Sequence, residues 1–84
     1  MELYGRVENI KSREDLIKFI NYFRKDLQSN GAEWKNVTLA DYLEAMEAWV
    51  TDMDGYYVNN NEIPPKQPSW KIIADILIAS SMYE

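Results

Sequence analysis

The last sixteen residues, "SWKIIADILIASSMYE" from Ser69 to Glu84, constrain the fold most. Read as a helix after Pro68, they are apolar nearly all round through Trp70, Ile72, Ile73, Ala74, Ile76, Leu77, Ile78 and Ala79. Such a helix has no face to offer to water and belongs inside a core or at a subunit contact. The chain has 84 residues, enough for one domain spanning 1–84, and it has no cysteine with which to staple it. The other segments must therefore be read for what they can lay against this helix.

Two amphipathic helices are signalled before it. Ser12 caps the first, with Asp15 three residues on as an approximate capping box. Leu16, Ile20, Phe23 and Leu27 recur at helical spacing with Phe19 on their flank. "SNG" ends this helix, with Gly31 suited to a left-handed position. Thr38 caps the second, whose Leu39, Tyr42, Leu43, Met46, Trp49, Val50 and Met53 fall on one stripe. Trp34 precedes that cap and suits a loose hydrophobic staple. An irregular connection from about Gly55 to Pro68 follows. The expected architecture is an all-α domain of three main helices, at about 13–29, 39–54 and 69–83, with residues 1–11 as an extended arm or short strand.

Composition excludes several chemistries. With no histidine and no cysteine there is no imidazole base, no thiolate nucleophile and no ordinary zinc site. No run approaches the ~18 apolar residues of a membrane span. No basic and apolar leader opens the chain, so the expected compartment is the cytoplasm. The net charge of −5 is uneven. Residues 36–62 hold six acids, Asp41, Glu44, Glu47, Asp52, Asp54 and Glu62, and no base. That disfavours direct nucleic-acid binding and suits a basic protein partner.

"TDMDGYYVNNNE", residues 51–62, invites comparison with a calcium loop. With Gly55 at the sixth position, Asp52 and Asp54 fall at the third and fifth, but Val50 falls at the first and Asn61 at the twelfth. The loop needs oxygen ligands at both of those places. The simpler reading is a helix stopped by Gly55, with no metal and no cofactor. Asp52 and Asp54 would then sit in the last turn, where the macrodipole disfavours anions. Either Lys66 or Lys71 folds back on them, or a partner supplies the base.

Three surfaces are candidates for contact. On the second helix Asp41, Glu44, Ala45, Ala48, Thr51 and Asp52 point away from the apolar stripe, and Glu47 adds a further acid. This face is either simply solvated or a docking strip. Tyr56 and Tyr57 follow the expected helix stop as possible aromatic anchors. On the third helix Lys71, Asp75, Ile78 and Met82 share a stripe. Its Ile78/Met82 end is either covered by the N-terminal arm or free to form a homodimer. The carboxylates line a convex face with no adjacent base or glycine-rich loop, so no catalytic residue is assigned. A carboxylate–metal hydrolase is the weakest alternative.

"EWKNVTLADYLEAMEAWVTDMDGYY", Glu33–Tyr57, and "PSWKIIADILIASSMYE", Pro68–Glu84, resemble a family of small bacterial proteins classed as a domain of unknown function. The marks are Trp34, Asn36, Thr38 and Leu39, then Leu43, Glu44, Ala45, Met46 and Trp49. Asp52, Met53, Gly55, Tyr56 and Tyr57 follow, and then Pro68, Trp70 and Lys71. The resemblance covers about residues 12–84 and implies no established activity. Small acidic proteins of this kind look like toxin-immunity proteins or other bacterial interaction modules, an analogy of class. The expectation is a non-enzymatic acidic binding module. A structural homodimer, or a helical domain without a partner, is the alternative.

Overall fold

The computed structural model describes residues 7–83. Three α-helices, α1 (Arg13–Asn30), α2 (Leu39–Asn59) and α3 (Trp70–Met82), carry the fold, with a short 3-10 turn at Gly31–Glu33. No strand forms among the described residues. Of the expected arm, residues 1–6 lie outside the described residues. Residues 7–9 are helical and turned rather than extended, and the Ile10 amide donates to the Val7 carbonyl.

The apolar helix α3 lies in the middle. Both α1 and α2 pack on it, and no close backbone approach joins α1 to α2. Val7, Ile10, Leu16, Phe19 and Phe23 close round Ala74 and Ile78 to form the core. The two expected caps, Ser12 and Thr38, are in place, and Ser69 caps α3 in the same way. Ser12, Thr38 and Ser69 side chains accept from the amides of Asp15, Asp41 and Ile72. The Asp15 carboxylate in turn accepts from the Lys11 amide at 3.0 Å.

Trp34 joins the helices across the top of the core. Its ring stacks on Phe23 at 4.6 Å and faces Tyr42 at 6.4 Å, and its indole N–H donates to Asp26. Asn36 then ties the connection to the end of α3. Its side-chain amide donates to the carbonyls of Ser80 and Tyr83, and the Lys35 and Asn36 backbone amides share the Ser81 carbonyl. These bonds satisfy carbonyls that a helix C-terminus leaves orphaned.

Both glycine expectations are corrected. Gly31 is not left-handed: its φ is −56°, and the chain winds directly into the 3-10 turn. Gly55 does not stop α2, which runs five residues beyond the expected end at 54 to Asn59. Tertiary contact carries the helix across the glycine, because Tyr57 is buried and Trp49 packs on both Tyr56 and Tyr57. The stop lies at Asn61, with φ at 60°. Its amide donates to Val58 and the Glu62 amide to Tyr57, the paired bonds of a Schellman ending.

A Cβ on Gly55 would meet nothing within 4 Å. Gly55→Ala should therefore stabilise the fold by about 0.5–1 kcal/mol, since it restricts the unfolded chain and improves helix propensity. Urea denaturation of the two proteins side by side checks this.

Candidate functional site

The candidate site is the surface of α2, and the burial of α3 decides which residues appear on it. Ala45, Trp49 and Tyr57 turn inward, with Tyr42 half-buried beside them. The Tyr42 hydroxyl donates to the Leu77 carbonyl at 2.6 Å, and burial pushes its pKa up to about 12. Asp41, Glu44, Glu47, Thr51, Asp52 and Asp54 are all exposed. Ala45, expected among them, is buried because α2 turns its Tyr42, Ala45 and Trp49 side inward, leaving Leu39, Leu43 and Val50 of the expected stripe exposed.

Four of these acids, Asp41, Glu44, Glu47 and Asp54, make no ion pair among the described residues. Asp52 accepts a hydrogen bond from the Tyr83 hydroxyl at 3.0 Å. That bond and the charge of Asp52 raise the phenol's pKa. The Thr51 hydroxyl is turned back on the Glu47 carbonyl. Because α2 continues to Asn59, Asp52 and Asp54 are not in its last turn, and no compensating base is needed there. Neither Lys66 nor Lys71 folds back on them.

Lys71 is engaged elsewhere, in a polar cluster that the sequence reading did not assemble. Its ammonium lies 3.1 Å from Asp75 and 3.9 Å from Glu8. Asp75 is buried, and its same oxygen accepts the Tyr57 hydroxyl at 2.6 Å. Burial would lower the Lys71 pKa, but the hydrogen bond and charge of Asp75, with Glu8 and Glu62, outweigh it and hold the ammonium above its ordinary value. Burial first, then the bond to Asp75, raises the Tyr57 phenol far above its usual range. The i,i+4 spacing of Lys71 and Asp75 was the one available sign of this cluster. Its third member, Tyr57, comes from a distant part of the chain.

Two expected contact residues are thereby corrected. Tyr57 is 2% exposed and braces Asp75, so it is not available as a partner anchor, whereas Tyr56 remains 45% exposed. Ile78 is 5% exposed in the core with Val7 and Ile10, so the expected Ile78/Met82 contact patch retains only Met82 at the surface. Residues 7–10 cover what the N-terminal arm was expected to cover.

The calcium-like spelling of residues 51–62 is absorbed into helix, with Asp52, Asp54 and Gly55 all inside α2. Among the described residues no three His, Cys, Asp or Glu side chains converge as a metal site, and no helix is long and apolar enough to cross a membrane.

The model of a family of unknown function, DUF7660, matches residues 12–84. The chain belongs to the DUF7660 family. The matched span holds all three helices, and residues 7–10, which close the core, lie before it. Neither the curated proteins nor the solved structures contain a match to the chain.

The Asp75 cluster yields a stability prediction. Asp75→Ala would leave the Tyr57 hydroxyl buried without its acceptor and should cost about 2–3 kcal/mol. The folded pKa values of Tyr42, Tyr57 and Lys71 all lie above their unfolded ones. Their contribution is therefore whole at neutral pH and is lost as pH rises past about 10. Urea midpoints measured from neutral to strongly alkaline pH should stay level and then fall, with a shallower fall in Tyr42→Phe or Tyr57→Phe.

Proposed function

We propose that the protein is a non-enzymatic binding module that docks a basic protein through the acidic side of α2. One observation carries this reading: Asp41, Glu44, Glu47 and Asp54 are exposed and unpaired among the described residues, on a helix that contains no lysine or arginine. Ordinary exposed helices mix signs, because i,i+4 pairs of opposite charge stabilise them and like charges do not. A single-sign face attracts a partner of the other sign, speeding encounter and rejecting acidic competitors. Tyr56, exposed beside Trp49, supplies a rigid ring with a polar tip, but on the Trp49 side of α2 and not among the acids.

The concrete form of this reading is an immunity or inhibitor protein of a bacterium, whose carboxylates mask the basic surface of a toxin. A homodimer through Ile78 and Met82 loses its first member to the core. A carboxylate–metal hydrolase has no supporting cluster among the described residues.

The double variant Asp41→Lys/Glu44→Lys tests the reading. A partner recovered from the native host should bind the parent protein in a salt-sensitive way and the variant about tenfold or more weakly. Asp41 lies in the first turn of α2, so its reversal should cost only about 0.3–1 kcal/mol of stability. Partners indifferent to both reversals would sink the proposal.

A further inference from the structure

The apolar stripe expected on α2 divides in two. Tyr42 and Trp49 turn toward α3 or its flanks, where Ala45 and Tyr57 from outside the expected stripe join them, but Leu39, Leu43 and Val50 remain 72%, 51% and 41% exposed. With the half-buried Met46 and Met53 they recur at steps of four, three, four and three residues. That is the a/d spacing of a coiled-coil seam. It runs over fifteen residues, or about 22 Å of helix. Tyr57, seven residues after Val50, is turned inward and closes one end.

The other end opens into a recess of about 340 Å³ lined by Phe23, Leu27, Trp34, Val37, Leu39 and Tyr42, with Arg24 as the one charged residue in its wall. The recess exists because α1 and α2 both pack on α3 without approaching each other. Its far wall is the α1 side that carries Leu27 and, seven residues earlier on the same face, Ile20, each 38% exposed.

We infer that this seam is a helix-docking groove whose occupant is an amphipathic helix with apolar a/d positions and Lys or Arg beside them. The inference rests on the proposed binding function and specifies the partner element. Charge selects the occupant. If Leu43 and Val50 are the a positions, Glu47 and Asp54 are the e positions, both exposed and unpaired among the described residues. An e position faces the partner's flanking residue, so two acids there call for bases. The same acids oppose a second copy of this chain. In an antiparallel pair they meet each other. In a parallel pair they face the g positions Tyr42, Trp49 and Tyr56, which hold no base. Asp41 and Glu44 lie away from the seam, so the groove and the outer acidic face can be tested separately.

The probe is a synthetic peptide of about three heptads with Leu at a and d and Lys at e and g. One control carries Glu in place of Lys, and another is a scramble of equal charge. Calorimetry should show the Lys peptide binding, with a gain of helicity by circular dichroism, and both controls failing at about 100 μM. Leu43→Ser and Val50→Ser, at exposed positions, should each weaken it about tenfold, with thermal melting unchanged. Glu47→Lys/Asp54→Lys should transfer preference to the Glu peptide, whereas Asp41→Lys/Glu44→Lys should change affinity less than about twofold.

Equal binding of the peptide and its scramble, weakened only by Asp41→Lys/Glu44→Lys, would overturn the groove and leave the acidic docking face standing. No binding of the Lys peptide, or binding insensitive to Leu43→Ser and Val50→Ser, also overturns the groove. So does self-association of the pure protein abolished by Leu43→Ser, which would assign the seam to a second copy. If the native partner is lost with the seam variants but not with the outer reversals, the groove stands and the outer face does not.

Discussion

The burial of α3 is the constraint on which the rest of the structure depends. A thirteen-residue helix with almost no polar side cannot be covered by one neighbour, and α1, α2 and residues 7–10 each take a share. The polar bonds follow the same rule. Asn36 holds the C-terminal carbonyls of α3, Tyr42 holds the Leu77 carbonyl, and Tyr57 and Lys71 together satisfy Asp75. These bonds fix the orientation of a helix that apolar packing alone would hold loosely, because dispersion and area burial have little directional preference.

That arrangement explains which parts of the fold could be read from the sequence. Caps are local, so Ser12 and Thr38 announce their helices, and a helix apolar on all sides announces its own central position. The two glycines misled because their effect depends on context. Gly55 favours a stop, but the burial of Tyr57 and the packing of Tyr56 on Trp49 outweigh a local preference of about 1 kcal/mol. The left-handed position then falls to Asn61, which tolerates it better than most residues with a Cβ.

Much of the candidate site was legible by the same measure. The single-sign acid face of α2 is visible in the letters and is exposed as expected. What periodicity cannot give is direction. Seven apolar residues on one stripe look like one buried face, whereas only its Tyr42 and Trp49 edge turns to α3, together with Ala45 from the face expected to be outward. Likewise Lys71, Asp75, Ile78 and Met82 share a stripe, but only the third dimension shows that Asp75 is a buried acceptor and Ile78 a core residue. Both corrections arise where a helix face meets a neighbour that its own sequence does not specify.

The split stripe also changes how the acidity of α2 is understood. On a helix with one buried face, the acids would simply be the solvated side. With Leu39, Leu43 and Val50 left outside, Glu47 and Asp54 border an apolar strip instead. An exposed apolar strip on a helix invites any other such strip, including that of another copy. A border of one charge narrows the choice, because carboxylates facing carboxylates cost free energy and carboxylates facing ammonium or guanidinium groups do not. The apolar strip and the acids can therefore act together, the first supplying contact area and the second deciding which helices fill it.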